Sequence, residues 1–218
     1  FFVFGFALGG LVRQVDGISY VRFIVPGLMM LSLIQNAFLN TASSMFIAKM
    51  QGTIVDLLVA PLSPMELLGA FTLAGVVRGV LVSAVVWLVA AIFTGFSIAH
   101  LGWVIAFALL VAAEFALFGL VVAIWSDKFE QLNLVPTFVI TPLTFLGGVF
   151  YSARMLPEPW SSITKLNPIL YMVEGLRYGM LGRSDVSPGL GLGMTVGLLA
   201  ASGALVWVML ARGYKLRA

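Results

Sequence analysis

Few side chains in this sequence have the chemistry that catalysis needs. Cysteine is absent and histidine occurs once, at His100, so disulfides, thiol catalysis and thiolate metal sites are excluded. A serine hydrolase needs a histidine to activate its serine, and His100 falls in a predicted loop between two apolar runs. Glu114 and Glu174 lie in apolar stretches, but no third group positions them as an acid–base pair. The sequence therefore predicts no enzyme active site.

Signatures of nucleotide and nucleic-acid binding are also missing from the chain. It contains no G-x-x-x-x-G-K-[ST] sequence, so any use of ATP must come from another subunit. Its 12 lysines and arginines outnumber its 9 aspartates and glutamates, for a net charge of +3, but they are scattered and never form a stripe. This pattern argues against a nucleic-acid interface and is typical of charges that flank membrane spans.

Composition and apolar run lengths predict a polytopic membrane protein. Hydrophobic residues make up 61% of the chain and charged residues 10%, which excludes an ordinary soluble composition. Five runs are long enough to cross a bilayer as helices, and they occupy residues 20–46, 66–93, 101–125, 132–151 and 189–211. The opening run, residues 1–12, has about half the length of a span, so we expect a truncated first helix that lacks its cytoplasmic start. Pro26-Gly27 should break or kink the first complete span.

Two charges fall near the centre of predicted spans. Arg78 lies about twelve residues into its span and Glu114 lies midway through the next one. An unpaired charge at that depth costs at least about 2.5–3.5 kcal/mol. The two spans are consecutive and antiparallel, so a salt bridge between Arg78 and Glu114 is one interpretation. The other is that they line a polar path.

The segment 152–181 is too interrupted by charge and proline to form a simple span. Asn167-Pro168 starts a second apolar stretch, and Pro168 suits the first turn of a helix. We expect a helix over 168–181 that dips into the membrane beside protein, so that 152–181 forms a re-entrant hairpin. On that helix, Tyr171, Glu174 and Arg177 share one polar and aromatic face with Tyr178.

The segment 49–66 separates two spans but is not a span. Its apolar residues form a short amphipathic pattern around Asp56, bounded by Gly52 and by Pro61 and Pro64. The pattern alone predicts an interfacial helix. The apolar members are Ile54, Val55, Leu57, Leu58 and Leu62.

Charge at the C-terminus predicts the orientation of the chain. Residues 212–217 carry three basic residues and no acidic one, so the C-terminus should be cytoplasmic. Counting back through the spans, segment 49–64 and the loop around Asp127 should lie on the same side.

Several motifs together resemble those of the type-2 ABC exporter permeases, and within them the YadH-like bacterial inner-membrane permeases. The first is L-N-P-x-x-Y-x-x-E-x-x-R at 166–177, preceded by a charge-free span that ends in GGVFY and by a Leu156-Pro157 turn. The others are Y-x-x-F-I-V-P-G-L at 20–28 and GTIVDLLVAP at 52–61. Their order and spacing extend over nearly the whole chain.

The resemblance implies a six-helix permease with a re-entrant hairpin before its last helix. Two such chains, identical or different, would form the pathway in a bacterial inner (plasma) membrane, above two cytoplasmic ABC ATPase subunits that bind ATP and Mg. The 52–61 segment would be the coupling helix that sits in a groove of the ATPase. The matching positions are Gly52, Ile54, Asp56, Leu57, Leu58 and Pro61.

Two other functions fit the same composition. A secondary transporter or channel would place coupling ions at broken helices near the midplane, and the sequence shows no inverted repeat. A membrane assembly protein without transport would leave the coupling pattern unexplained. Copurification with a P-loop ATPase separates the exporter from both. Nothing in the sequence selects a substrate.

Overall fold

The structure, a computed structural model, describes residues 14–15, 17–95 and 98–215, except for the side chains of Leu57 and Leu58. The predicted partial helix at 1–12 lies outside these residues. Two antiparallel strands of two residues each, β1 Gln14–Val15 and β2 Ile18–Ser19, precede the helices. The helices are α1 Tyr20–Met50, α2 Thr53–Val59, α3 Pro64–Thr94, α4 Leu101–Trp125, α5 Phe129–Val135, α6 Thr141–Leu146, α7 Trp160–Thr164, α8 Pro168–Leu181 and α9 Pro188–Ala211.

Four of the described helices, α1, α3, α4 and α9, are long and apolar enough to cross a membrane. Each lies within a few residues of a predicted span, and α1 extends four residues further than predicted. The predicted all-α polytopic membrane fold is therefore confirmed.

The fifth predicted span, 132–151, has a different form. α5 and α6 are joined by a π-helical turn, Pro136–Ile140, and the helical run ends at Leu146. Pro142 has no N–H to donate to the carbonyl four residues earlier, and its ring crowds that carbonyl. The wider turn accommodates this, and the Thr141 hydroxyl donates to the Pro136 carbonyl at 2.7 Å.

α1 is the central helix of the bundle, and it contacts α3, α4 and α8. Gly75 and Gly79 of α3 face it, because a Cβ added at Gly79 would lie 3.0 Å from the Cβ of Ala37. On α4, a Cβ at Gly119 would lie 2.7 Å from the Phe38 carbonyl oxygen. The small-residue spacing on α3 thus brings the helix backbones together, as in other membrane bundles.

The sequence predicts a break or a kink at Pro26, and the break is wrong, because α1 continues through Pro26 as a single helix. Gly27, the next residue, allows the backbone at Val149 to pack closely against α1: a Cβ there would lie 2.5 Å from the Val149 carbonyl oxygen. Gly27 therefore provides a contact site for the chain that follows α6.

α8 has the bounds that the sequence predicts. The Asn167 side chain accepts a hydrogen bond from the Ile169 amide at 3.0 Å, and Gly182 ends the helix with a left-handed φ of 71°. Gly175 packs on Phe107 and Gly179 on Val104, so α8 lies beside the first half of α4. Its placement in a membrane stays a prediction.

Packing at Gly75 can be tested with a matched glycine in the same helix. Gly75→Leu should destabilise the protein by about 1–3 kcal/mol, since the new side chain meets Ala116 and α1. Gly69→Leu should be tolerated, because nothing lies within 4 Å of its Cβ position. Thermal unfolding of the purified proteins in detergent measures both. Equal unfolding midpoints for the two variants would contradict close packing of α3 on α1.

Candidate functional site

The bundle has two ends that differ in chemistry. The start of α1, the end of α3 and the end of α8 lie at one end, which we call the hairpin end. There the Arg22 guanidinium donates to the Thr94 carbonyl at 2.8 Å, and the Ala99 amide donates to the Met180 carbonyl at 3.2 Å. The opposite end, with the last turns of α1, α4 and α9, is called the tail end. The polar groups of functional interest lie at these two ends, except for Glu114, which lies between them.

At the hairpin end, Glu174 and Arg177 of α8 form a buried ion pair. Arg177 Nη1 donates to Glu174 Oε1, and Nη2 donates to the Gly148 carbonyl at 2.6 Å. Glu174 Oε2 accepts from the Asp185 amide at 2.6 Å. The guanidinium also lies 4.1 Å from the centroid of the Phe23 ring, a cation–π contact. One ion pair therefore connects α8 with α1 and with the segments on either side of the hairpin.

The chain segments that enter and leave the predicted hairpin also contact each other. The Ser152 hydroxyl donates to Asp185 Oδ2 at 2.6 Å, and Arg154 Nε lies 3.4 Å from Asp185 Oδ1. Segment 152–181 thus starts and finishes at the same place. This geometry supports the hairpin interpretation, and Asp185, which the sequence analysis did not select, is the residue that closes it.

Other residues predicted for the hairpin have local roles. The Asn167 amide, besides capping α8, donates to the Leu143 carbonyl at 2.6 Å. The Tyr171 hydroxyl donates to the Lys165 carbonyl at 2.9 Å, so Tyr171 does not join the ion pair. His100 lies directly before α4, and its ring stacks on Tyr178 with centroids 5.0 Å apart. These contacts are structural and place no nucleophile beside a base.

At the tail end, two lysines converge on the C-terminus of α4. Lys49 Nζ donates to the Ser126 carbonyl at 2.8 Å and lies 3.7 Å from Asp127 Oδ1. Lys215 Nζ donates to the Trp125 carbonyl at 3.0 Å and to Asp127 Oδ2 at 2.6 Å. Cations at this position satisfy terminal carbonyls and interact favourably with the helix dipole. The ends of α1, α4 and the tail therefore share one side of the bundle, as the count of spans predicted.

α2 also lies at the tail end, between α1 and α3. It begins after Gly52, whose left-handed φ of 77° favours glycine. Ile54 is 2% exposed and packs into the core, so it fixes the segment to its own chain and is not free to contact a partner. Val59 is 79% exposed, and Val55 and Leu62 are also exposed. Of the other predicted coupling residues, Asp56 and Pro61 are exposed, and the side chains of Leu57 and Leu58 are not described.

The predicted ion pair between Arg78 and Glu114 is wrong. Glu114 is 7% exposed, and its Oε1 accepts from the Ser202 hydroxyl of α9 at 2.9 Å. Arg78 is exposed, lies in a groove with Asn40, and forms no ion pair with any described residue. The two charges share a depth, but Glu114 faces α9 and Arg78 lies on the outer surface of α3. Within the described residues, no group of three or more His, Asp or Glu side chains could hold a metal ion.

Comparison with known proteins extends over the whole chain. Residues 1–181 match the sequence model of the ABC-2 type transporter family. The chain is 42% identical over 217 residues to the inner membrane transport permease YadH of Escherichia coli strain K12, covering 100% of this chain and 85% of that protein. It is 28% identical over 211 residues to nodulation protein J of Rhizobium meliloti strain 1021, covering 88% of this chain and 74% of that protein.

The ion pair predicts a specific response to neutralisation. Glu174→Gln leaves the Arg177 charge buried without a counter-charge, so the protein should lose about 3–5 kcal/mol of stability. Thermal unfolding in detergent measures the loss, with the exposed Glu158→Gln as control. Combining Glu174→Gln with Arg177→Met should recover part of it. A double variant as unstable as Glu174→Gln alone would show that the two side chains do not act as a pair.

The tail contact predicts a pH dependence. The hydrogen bond from Lys215 holds the pKa of the Asp127 carboxyl below its usual value. The folded carboxyl therefore loses its proton at a lower pH than the unfolded one. The stabilisation that the Asp127–Lys215 contact provides is therefore present above the unfolded pKa of Asp127 and is lost as the pH falls through the folded pKa.

A spin label placed by Tyr214→Cys should accordingly become more mobile at acidic pH. With Asp127→Asn added, the label should be more mobile than in the parent at neutral pH and should lose its response to pH, although Lys215 can still donate to the Trp125 carbonyl. If the label is as immobile in the Asp127→Asn protein as in the parent at neutral pH, Asp127 does not hold the tail.

Proposed function

Because the chain belongs to the ABC-2 type transporter family, it is a membrane transport permease subunit, and we propose that it serves an ATP-driven exporter whose ATPase is a separate protein. The 218 residues contain no P-loop sequence, so in this proposal ATP and Mg²⁺ are bound by the ATPase and this chain hydrolyses nothing. The complex contains two ATPase subunits and two permease chains, most simply a homodimer. One relative is named an inner membrane transport permease, and this supports a location in a bacterial inner membrane for this chain as well.

The observation that carries the proposal is the exposed apolar surface formed by α2 and by Leu62, three residues after it. Val55, Val59 and Leu62 are exposed at the tail end, where the bases of the C-terminal segment favour the cytoplasmic side. A soluble partner is the best cover for apolar side chains in that position. We therefore assign this surface to the groove of the ATPase, with Asp56 orienting the contact.

α2 is built so that a displacement of the partner reaches two membrane helices. On one side only Gln51 and Gly52 separate it from α1. On the other side a capping box starts α3: Glu66 accepts from the Ser63 amide at 2.7 Å, and the Glu66 amide donates to the Ser63 hydroxyl at 3.2 Å. Ile54 packs α2 against the core. A shift of α2 on nucleotide binding would therefore move α1 and α3 together.

This assignment predicts the effect of charges on α2. Val55→Asp and Val59→Asp should leave membrane insertion intact, because neither side chain is buried, but should strongly reduce copurification of the ATPase and transport-coupled ATP hydrolysis. Asp56→Ala should lower coupled hydrolysis with a smaller effect on assembly. The measurements are copurification and substrate-stimulated ATPase activity in membranes.

Met155→Asp is the matched control, since Met155 is an exposed apolar residue at the hairpin end, where the neighbouring Arg154 contacts Asp185. It should leave assembly and hydrolysis unchanged. Unchanged assembly and turnover in both α2 valine variants would remove the coupling assignment. Purification without any P-loop ATPase would favour a secondary transporter, a channel or a membrane assembly protein.

A further inference from the structure

A cavity of about 170 Å³ lies between α4, the π-helical turn, the start of α8 and α9. Its walls are apolar and include Phe115, Phe118, Ile140 and Met172, and among the described residues that line it Glu114 is the one with an ionisable side chain. Glu114 is residue 14 of the 25 in α4, so by the rise of an α-helix it lies near the middle of the span. The cavity is thus an apolar chamber with one carboxyl group at the depth of the bilayer centre.

The carboxyl group of Glu114 is only half satisfied. Oε1 accepts from the Ser202 hydroxyl at 2.9 Å, whereas Oε2 is buried and has no hydrogen-bond partner among the described residues. Leaving a buried polar atom unpaired costs free energy, and ionisable groups inside a membrane commonly mark functional sites. Neither the proposed coupling nor the buried ion pair at the hairpin end uses this group.

A second feature of the cavity wall is independent of the carboxyl group. The π-helical turn Pro136–Ile140 supplies Val139 and Ile140 to the lining, and single π-turns inside helices occur frequently at functional sites. Val139 is partly exposed at the surface of the bundle. The cavity therefore lies close enough to the surface for a ligand to enter beside this turn.

We propose that this cavity is a binding site for a small lipophilic amine. The ammonium group donates a hydrogen bond to the free Oε2 of Glu114 and neutralises the carboxylate. The apolar body fills the chamber, where Phe115 and Phe118 form an edge-to-face pair with centroids 6.4 Å apart and offer π-faces that attract a cation. An apolar cavity of about 150 Å³ accepts benzene, so one aromatic ring with a short amine arm matches the volume.

Binding at Glu114 needs neither the ATPase nor transport, so it is testable on the purified full chain alone. The probes are phenethylamine and its neutral analogue 2-phenylethanol. Phenethylamine should raise the unfolding temperature of the wild-type protein in a saturable manner. Glu114→Gln should weaken that binding about 10-fold or more, because a hydrogen bond to a charged group is lost. Glu130→Gln, which changes an exposed glutamate, should bind as the wild type does.

2-Phenylethanol should show no difference between wild type and Glu114→Gln. Equal binding of the amine to both proteins, or no saturable binding to the wild type, would overturn the proposal. If Glu114→Gln weakens the binding of 2-phenylethanol as strongly as that of phenethylamine, the proposal is also overturned, because the site then recognises a neutral hydrogen-bonding group.

A measurement on the wild-type protein covers the case in which Glu114→Gln fails to fold. The protonated carboxyl adds across a C=N bond of diisopropylcarbodiimide to give an O-acylisourea, and migration of the acyl group from oxygen to nitrogen leaves a stable N-acylurea on the glutamate. Mass spectrometry gives the rate at which the unmodified peptide that contains Glu114 disappears, which counts both the N-acylurea and any amide formed when phenethylamine attacks the O-acylisourea and displaces the urea. Saturating phenethylamine should slow this modification several-fold without slowing that of Glu130. An unchanged rate, or no reaction at Glu114 in the absence of the amine, would contradict an accessible amine site.

Discussion

The buried ion pair between Glu174 and Arg177 determines the arrangement of the hairpin end. In a membrane, polar groups must find partners within the protein, and these two charges use the Gly148 carbonyl, the Asp185 amide and the Phe23 ring to do so. Four separate stretches of chain are positioned by this one interaction. Gly175 and Gly179 then pack α8 against α4, and in that position the start of α8 forms one wall of the Glu114 cavity.

α1 connects this end of the molecule to the other. Near its start, Phe23 lies under the Arg177 guanidinium; at its last turn, Lys49 binds the carbonyls at the end of α4. Between them its backbone is in close contact with the glycines of α3 and α4. Because interfaces of this kind are tightly packed, a displacement at α2 is expected to move helices as units and not to dissipate locally. This is the physical basis for linking the tail end to the pathway.

Features encoded by local sequence were predictable. The bounds of α8 follow from Asn167, Pro168 and Gly182, which start and stop a helix by themselves. The four-residue spacing of Gly75 and Gly79 agrees with their close packing on α1, but it is a weak signal in a chain with 23 glycines. Features that depend on helix rotation were not predictable: the pairing of Arg78 with Glu114 was wrong because span order gives depth but not the face on which a residue lies. Ser202, Asp185 and Lys215 were missed because each contacts a residue that lies far from it in the sequence, so no local pattern indicates the pair.

The central claim is that α2 docks on an ATPase at the cytoplasmic side, and crosslinking tests it most directly. The chain contains no cysteine, so Val59→Cys introduces a single attachment point on the exposed face of α2, and Met155→Cys does so at the hairpin end. With a short photoactivatable crosslinker in native membranes, Val59→Cys should capture a P-loop ATPase in a nucleotide-dependent yield, and Met155→Cys should not. Capture of the ATPase at Met155 and not at Val59, or no ATPase at either position in actively exporting membranes, would contradict the account.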